Sequence, residues 1–160
     1  MKLSSAVVIV FILLIYSIFL IMLGKRTYFF KYNKMQKNVK KFSTYYYLSD
    51  YWLELKQNNR NLGEYFDNIG VNKIVIYGYG SMGKSLCREL INQKVEIAFI
   101  IDKDLDYCDE FRVGSISDIK NESVEMVVVT APFAYQSIRS SLIKEVKCPI
   151  ISIEDIIFSL

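Results

Sequence analysis

Histidine is absent from the 160 residues. That removes the commonest general base, most zinc sites and every Ser-His-Asp or Cys-His nucleophile pair. Cysteine is scarce: Cys87, Cys108 and Cys148 are far apart with no C-x-x-C, so neither a metal knuckle nor a redox dithiol is offered. An odd number of scattered thiols fits a reducing compartment better than a disulfide framework. Acidic residues are missing from the first 41 positions, which carry eight Lys or Arg; the rest of the chain holds twelve basic and seventeen acidic residues. The net charge of +3 therefore conceals a basic head on a mildly acidic body. A nucleic-acid partner would need its basic face on the body, where the balance is negative.

What is present begins with residues 6–23 (AVVIVFILLIYSIFLIML), eighteen positions without a charge. As a helix this run reaches about 27 Å, close to the roughly 30 Å of bilayer hydrocarbon. It ends Ile-Met-Leu-Gly-Lys-Arg, with no small-residue cleavage pattern, so an uncleaved anchor over 1–24 is expected rather than a signal peptide. Lys2 precedes the run, and seven Lys or Arg follow it within residues 25–41. The positive-inside tendency then predicts a single-pass protein of the cell membrane with its C-terminal body in the cytoplasm. Tyr28, Phe29, Phe30 and Tyr32, set among Lys25, Arg26, Lys31 and Lys34, read as an interfacial belt, with the cations from Lys25 to Lys41 against anionic headgroups, or as a plain stop-transfer flank.

Residues 25–70 form a basic, aromatic and then helical connector. Tyr45, Leu48, Trp52 and Leu55 recur at helical spacing and predict a helix over 43–57, with Trp52 in the core. Asn61 with Glu64 is a capping-box start for a second short helix, whose buried face is Leu62, Tyr65, Phe66 and Ile69 and whose stop is Gly70.

Residues 71–160 carry the chemistry. A strand over 73–77 runs into Gly78-Tyr79-Gly80-Ser81-Met82-Gly83, a helix follows, and a second strand over 95–101 ends on Asp102. This is the order of a dinucleotide fingerprint: strand, G-x-G-x-x-G, helix, strand, acid. Gly78 permits the turn out of the strand, Gly80 lets a pyrophosphate approach the helix amides, and Gly83 lets the helix pack on the strand. Asp102 is placed to accept from ribose hydroxyls, and Lys103 beside it could meet a 2′-phosphate, which leaves NAD and NADP both open. The same residues also satisfy the P-loop pattern, Gly78-x4-Gly83-Lys84-Ser85, but the later strand ends on Thr130 rather than on a magnesium-binding aspartate.

A weak edge strand is expected over 111–114, helix starts at Ser115 with Asp118 and at Ser152 with Asp155, and strands over 125–130 and 149–151. Between the last two strands a helix should turn Ile138, Leu142, Ile143 and Val146 inward. The fold class is thus α/β: a small Rossmann-like parallel sheet of about five strands, preceded by a transmembrane helix and a helical connector. Thr130, Ala131 and Pro132 should share the glycine loop's rim, because ligands sit at the carboxyl ends of such strands. The candidate binding set is Gly78, Tyr79, Gly80, Ser81, Met82, Gly83, Asp102, Lys103, Thr130, Ala131 and Pro132; no catalytic or metal-ligating set is offered. Asp104, Asp106, Asp109 and Glu110 read as a solvated acidic loop.

The runs IVIYGYGSMGKSLCREL, IAFIIDKD, VVVTAPFAY and PIISIEDII resemble the small Rossmann domains of bacterial surface-polysaccharide biosynthesis. Those modules stand ahead of sugar-nucleotide epimerase or dehydratase domains, or of sugar acyltransferase domains. A less close resemblance is to the potassium-conductance regulator domains. The first resemblance implies that Gly78, Gly80, Gly83 and Asp102 contact NAD(P) or a nucleotide-sugar. It implies a ligand class, not a reaction. Ending at Leu160, the chain is expected to lack the catalytic domain of its longer relatives. The leading expectation is a membrane-anchored nucleotide-binding module accessory to envelope polysaccharide assembly, working with a partner from that pathway or as a homodimer. An NAD(P)-dependent oxidoreductase or epimerase subunit completed by a partner, and a ligand-free scaffold, are the alternatives.

Overall fold

The structure is a computed structural model and describes residues 5–160, with side chains from Ile9 onward. Lys2, the cation counted on the N-terminal flank, lies outside the described residues. The chain divides into two compact units at Ser43/Thr44.

The described residues of the first unit are helical, formed by the greater part of α1 (Ser5–Gln57). No proline or glycine occurs between Lys25 and Gln57, so nothing in the sequence breaks the helix there. The helix expected over 43–57 is the last stretch of this same α1. Its N-terminal apolar run has a mean hydropathy of 2.1, and none of that run is buried inside the protein. Two hydroxyls in and next to this run are satisfied by the helix itself: Ser17 Oγ donates to the Leu14 carbonyl at 2.8 Å and Thr27 Oγ1 to that of Gly24 at 2.9 Å.

The second unit is built on four parallel strands, β1 (Lys73–Tyr77), β2 (Glu96–Ile101), β3 (Met126–Val129) and β4 (Ile150–Ser152), in the order β2-β1-β3-β4. The strands are nearly continuous apolar runs because both faces of the sheet are covered. Ile74, Ile76, Ile100, Met126 and Val128 belong to one core, closed by the end of α1, by α2 (Gly63–Ile69), α3 (Ser81–Leu90) and α6 (Ile153–Phe158). Val75, Phe99, Ile101, Val127 and Val129 belong to the other, under α4 (Ile116–Ile119) and α5 (Tyr135–Leu142). Pairing of β1 with β2 steps from Ile74↔Ile97 to Val75↔Phe99, so Ala98 is bulged and sits on the same side as Phe99.

The expected fifth strand is not formed. Residues 111–114 make a single parallel bridge, Val113 with Ile100, using Arg112 O and the Gly114 amide at 2.9 Å each. Immediately beyond, the Ser115 N–H turns to the Asp118 carboxylate at 2.7 Å in a capping box, which takes that backbone out of any ladder. Two apolar residues expected inward are exposed at helix ends: Ile143 falls just past the end of α5, and Ile69 is the last residue of α2, before Gly70, whose φ of +69° turns the chain away. Of the expected box at Asn61, half is present: Glu64 accepts from the Asn61 N–H at 3.0 Å, while the Asn61 carboxamide oxygen is buried without a hydrogen bond.

Glu89 on α3 ties the lead-in helices to the sheet. Its carboxylate, 6% exposed, accepts from Trp52 Nε1 at 2.7 Å and from the Leu62 amide at 2.6 Å, and lies 2.8 Å from Lys56 Nζ. Nothing in the sequence pattern marks this residue. Glu89→Ala leaves a buried indole N–H and a backbone N–H without an acceptor, and is expected to cost about 3 kcal/mol. Urea unfolding of the full chain in mild detergent measures it; a midpoint unchanged from wild type would mean that these contacts do not hold the lead-in.

Candidate functional site

The glycine loop is shaped by a close approach between α3 and β1. Gly78 leaves the strand with φ +101°, a conformation that favours glycine, and its N–H donates to Ile101 O at 2.7 Å. A Cβ at Gly83 would collide with the Gly78 carbonyl oxygen, and a Cβ at Gly78 would fall 2.8 Å from Thr130 Oγ1. Buried Thr130 fixes the arrangement by donating its hydroxyl to Gly78 O at 2.7 Å. Gly80 is different. Its φ of −70° suits any residue, and a Cβ there would meet nothing within 4 Å. It stands exposed at the start of α3, where no side chain caps the first amides.

Asp102 braces the loop from the end of β2. Its carboxylate accepts from the Tyr79 N–H at 2.6 Å and from the Asp104 N–H at 2.9 Å. Two oxygens offer about four acceptor positions, so capacity remains on the acid. The Tyr79 ring meets Phe111 edge-on, its centroid 6.4 Å away, and its hydroxyl lies 3.5 Å from Cys108 Sγ. Lys84 Nζ stands 5.4 Å from the centre of the same ring. Burial, followed by the Cys108 hydrogen bond, pushes the Tyr79 hydroxyl well above the usual phenol value. The same contact, in which the hydroxyl can donate once the thiol ionises, holds Cys108 below its ordinary value. Burial raises Cys148 and pushes Cys87 up to about 12.

A cleft of roughly 350 Å³ opens beside the loop, lined by Tyr77, Gly78, Asp102, Ala131, Phe133 and Ile138 among others. It sits at the carboxyl ends of β1 and β3. There the connection after β1 runs to one side of the sheet and the next strand lies on the other, the switch point at which open parallel sheets form crevices. Four of the sequence-derived candidates meet there: Gly78, Asp102, Lys103 and Ala131. Gly80 and Ser81 are exposed at the start of α3, and Pro132 opens the 3-10 turn Pro132–Ala134 at the rim. Met82, Gly83 and Thr130 are buried: Met82 lies against Ser49 Oγ at 3.9 Å, Gly83 packs on the Gly78 carbonyl, and Thr130 donates to it. Phe133 and Ile138 were not among the candidates, yet they form the cleft's apolar wall. An aromatic directly after Ala131-Pro132 was the available signal.

Two outcomes check this geometry. Gly83→Ala should destabilise the fold by about 3 kcal/mol, whereas Gly80→Ala should stay within about 0.5 kcal/mol of wild type in the same unfolding assay. Alkylation followed against pH should give Cys108 a midpoint below, and Cys148 one above, an ordinary thiol. Tyr79→Phe, which removes the donor to the thiolate, should move the Cys108 midpoint upward.

No curated protein and no solved structure matches the chain. The family model described as C2185-like, N-terminal, matches residues 70–151. That interval covers all of β1, α3, β2 and β3 with the glycine loop, the acid and the cleft, and half of the whole chain. The protein belongs to the C2185-like family through this N-terminal domain.

Proposed function

We propose that residues 71–160 are a Rossmann-like nucleotide-binding module, anchored at the cytoplasmic face of the cell membrane by residues 6–23. The reading is carried by Gly80. Gly78 and Gly83 are needed by the protein's own packing, but at Gly80 neither backbone nor neighbours require a glycine. Room at that point, over the uncapped amides of Ser81, Met82 and Gly83, suits the approach of a phosphate to a helix N-terminus. The adjoining cleft adds the spare acceptor capacity of Asp102 for ribose hydroxyls and the Phe133–Ile138 wall for an apolar ring. The ligand class is NAD(P) or a nucleotide-sugar. The likeness of these runs to modules of surface-polysaccharide biosynthesis supports an accessory role there, beside a partner of that pathway. The exposed apolar run of α1 supports the anchor, and Lys25, Arg26 and Lys31 would meet anionic headgroups.

A ligand-free scaffold is the second reading. The observation in its favour is that each Asp102 oxygen already holds a backbone N–H, so the acid has a structural task without any ligand. For the same reason Asp102→Ala does not separate the two readings, since it would loosen the loop as well. Gly80→Val does separate them. In thermal unfolding of the full chain in mild detergent, NAD, NADP and UDP- and GDP-sugars are tested in turn. A ligand at 100 times its dissociation constant should add about 2.7 kcal/mol of stability. Gly80→Val should abolish that gain while unfolding at the wild-type temperature without ligand. Silence from every ligand, with the protein folded, would leave the scaffold. A C-terminal reporter in cells should be active only in its cytoplasmic form; activity outside would overturn the orientation.

A further inference from the structure

Beyond the apolar run, α1 carries a second apolar feature that lipid explains only at its start. Tyr28, Tyr32, Met35, Val39 and Phe42 follow one another at spacings of four, three, four and three. At roughly 100° per residue they fall within an arc of about 80°, a narrow seam with the 3.5-residue period of a coiled coil. The Tyr28 and Tyr32 rings are stacked, with centroids 6.4 Å apart. Met35, Val39 and Phe42 are 53%, 57% and 69% exposed. At 1.5 Å per residue, Met35 stands about 18 Å and Phe42 about 28 Å along the helix past Leu23. Such distances exceed the depth of a headgroup layer, so a continuous helix needs a protein surface to cover these side chains.

We infer that this seam pairs with the same seam of a second copy of the chain, as a short parallel two-stranded coiled coil leading out of the membrane. The charge pattern identifies the occupant. Residues 25–41 hold seven cations and no acid, an arrangement that should keep copies apart. Yet from Lys34 onward every cation, Lys34, Lys37, Lys40 and Lys41, lies at an outer heptad position on the face opposite the seam. With Tyr32 and Val39 at a and Met35 and Phe42 at d, the flanking pairs across a parallel dimer are Lys31 with Gln36 and Asn38 with Ser43. Neither pair opposes like charges. A foreign acidic helix would be met by cations at these flanking positions; the uncharged Gln36, Asn38 and Ser43 instead suit self-pairing. Val39, β-branched, stands at an a position, where β-branched residues favour two strands. Anchors in one membrane keep two copies parallel and concentrated, which a seam of only two heptads requires.

Crosslinking of the full chain in lipid vesicles tests the inference. In a Cys108→Ser, Cys148→Ser background, which leaves the buried Cys87, single cysteines are placed at Met35, Val39 and Phe42 and, as controls, at Lys34 and Lys37. Mild oxidation should give a product of twice the chain mass at the three seam positions, at least fivefold more than at the two controls. Val39→Glu in the native background should weaken self-association at least tenfold with unchanged helix content. Equal crosslinking at all five positions, no crosslinking at any, or a product of another mass would overturn self-pairing; the last would assign the seam to a different protein. A wild-type chain that stays monomeric in lipid at every concentration would overturn it too.

Discussion

The placement of the loop and the cleft depends on how closely α3 approaches β1. Gly83 on the helix sits against the Gly78 carbonyl with no room for a methyl group, and Thr130 from the neighbouring strand donates to that same carbonyl. Three elements, β1, α3 and β3, therefore converge on a single oxygen. Their convergence fixes where the first amides of α3 point and how wide the crevice between the two strands is. Because the contact is steric on one side and a short hydrogen bond on the other, the loop has little freedom to relax around a substitution. The fold's main constraint and the site's geometry are the same contact.

That identity explains why so much was legible from the sequence. A glycine needed for close packing and a glycine at positive φ leave a pattern that survives without any structure. The capping boxes at Ser115 and Ser152 do likewise, because a serine and an acid three residues apart make a local contact that needs no tertiary partner. What failed to show was set by distant packing. The 111–114 segment has strand-like residues, but the Ser115 box that follows removes its backbone from the ladder after one bridge. Asn61 promised a complete box and delivered half: Glu64 takes its N–H, but its carboxamide oxygen is buried without a hydrogen bond. The helix expected to carry Ile143 inward ends at Leu142, which leaves Ile143 outside.

Glu89 is the clearest case of information that a linear reading does not hold. A glutamate in an amphipathic helix is normally solvated. Here the end of α1 and the start of α2 close over it, and its two oxygens take the Trp52 indole and the Leu62 amide. Trp52 was legible as a core residue from its spacing; its hydrogen-bond partner, 37 positions away, was not. A carboxylate so enclosed is oriented by its donors more than it stabilises by charge alone. Its contribution is the fixed angle at which the lead-in meets the sheet within the second unit.

Asp102 and Gly80 bear on function in opposite ways. An acid at the end of a second strand is the feature that most strongly suggests ribose, yet this one already has two backbone donors, and it would be retained for loop geometry alone. Gly80 looks like the weaker clue, one small residue among three. It is nonetheless the one glycine of the loop that the protein's own contacts leave unexplained. Function is better argued from a residue with no structural reason to be what it is than from one whose chemistry fits but whose bonds are already made. The seam on α1 obeys the same logic. Lipid accounts for the aromatic residues near Lys25, whereas it does not account for Met35, Val39 and Phe42 in register on one face.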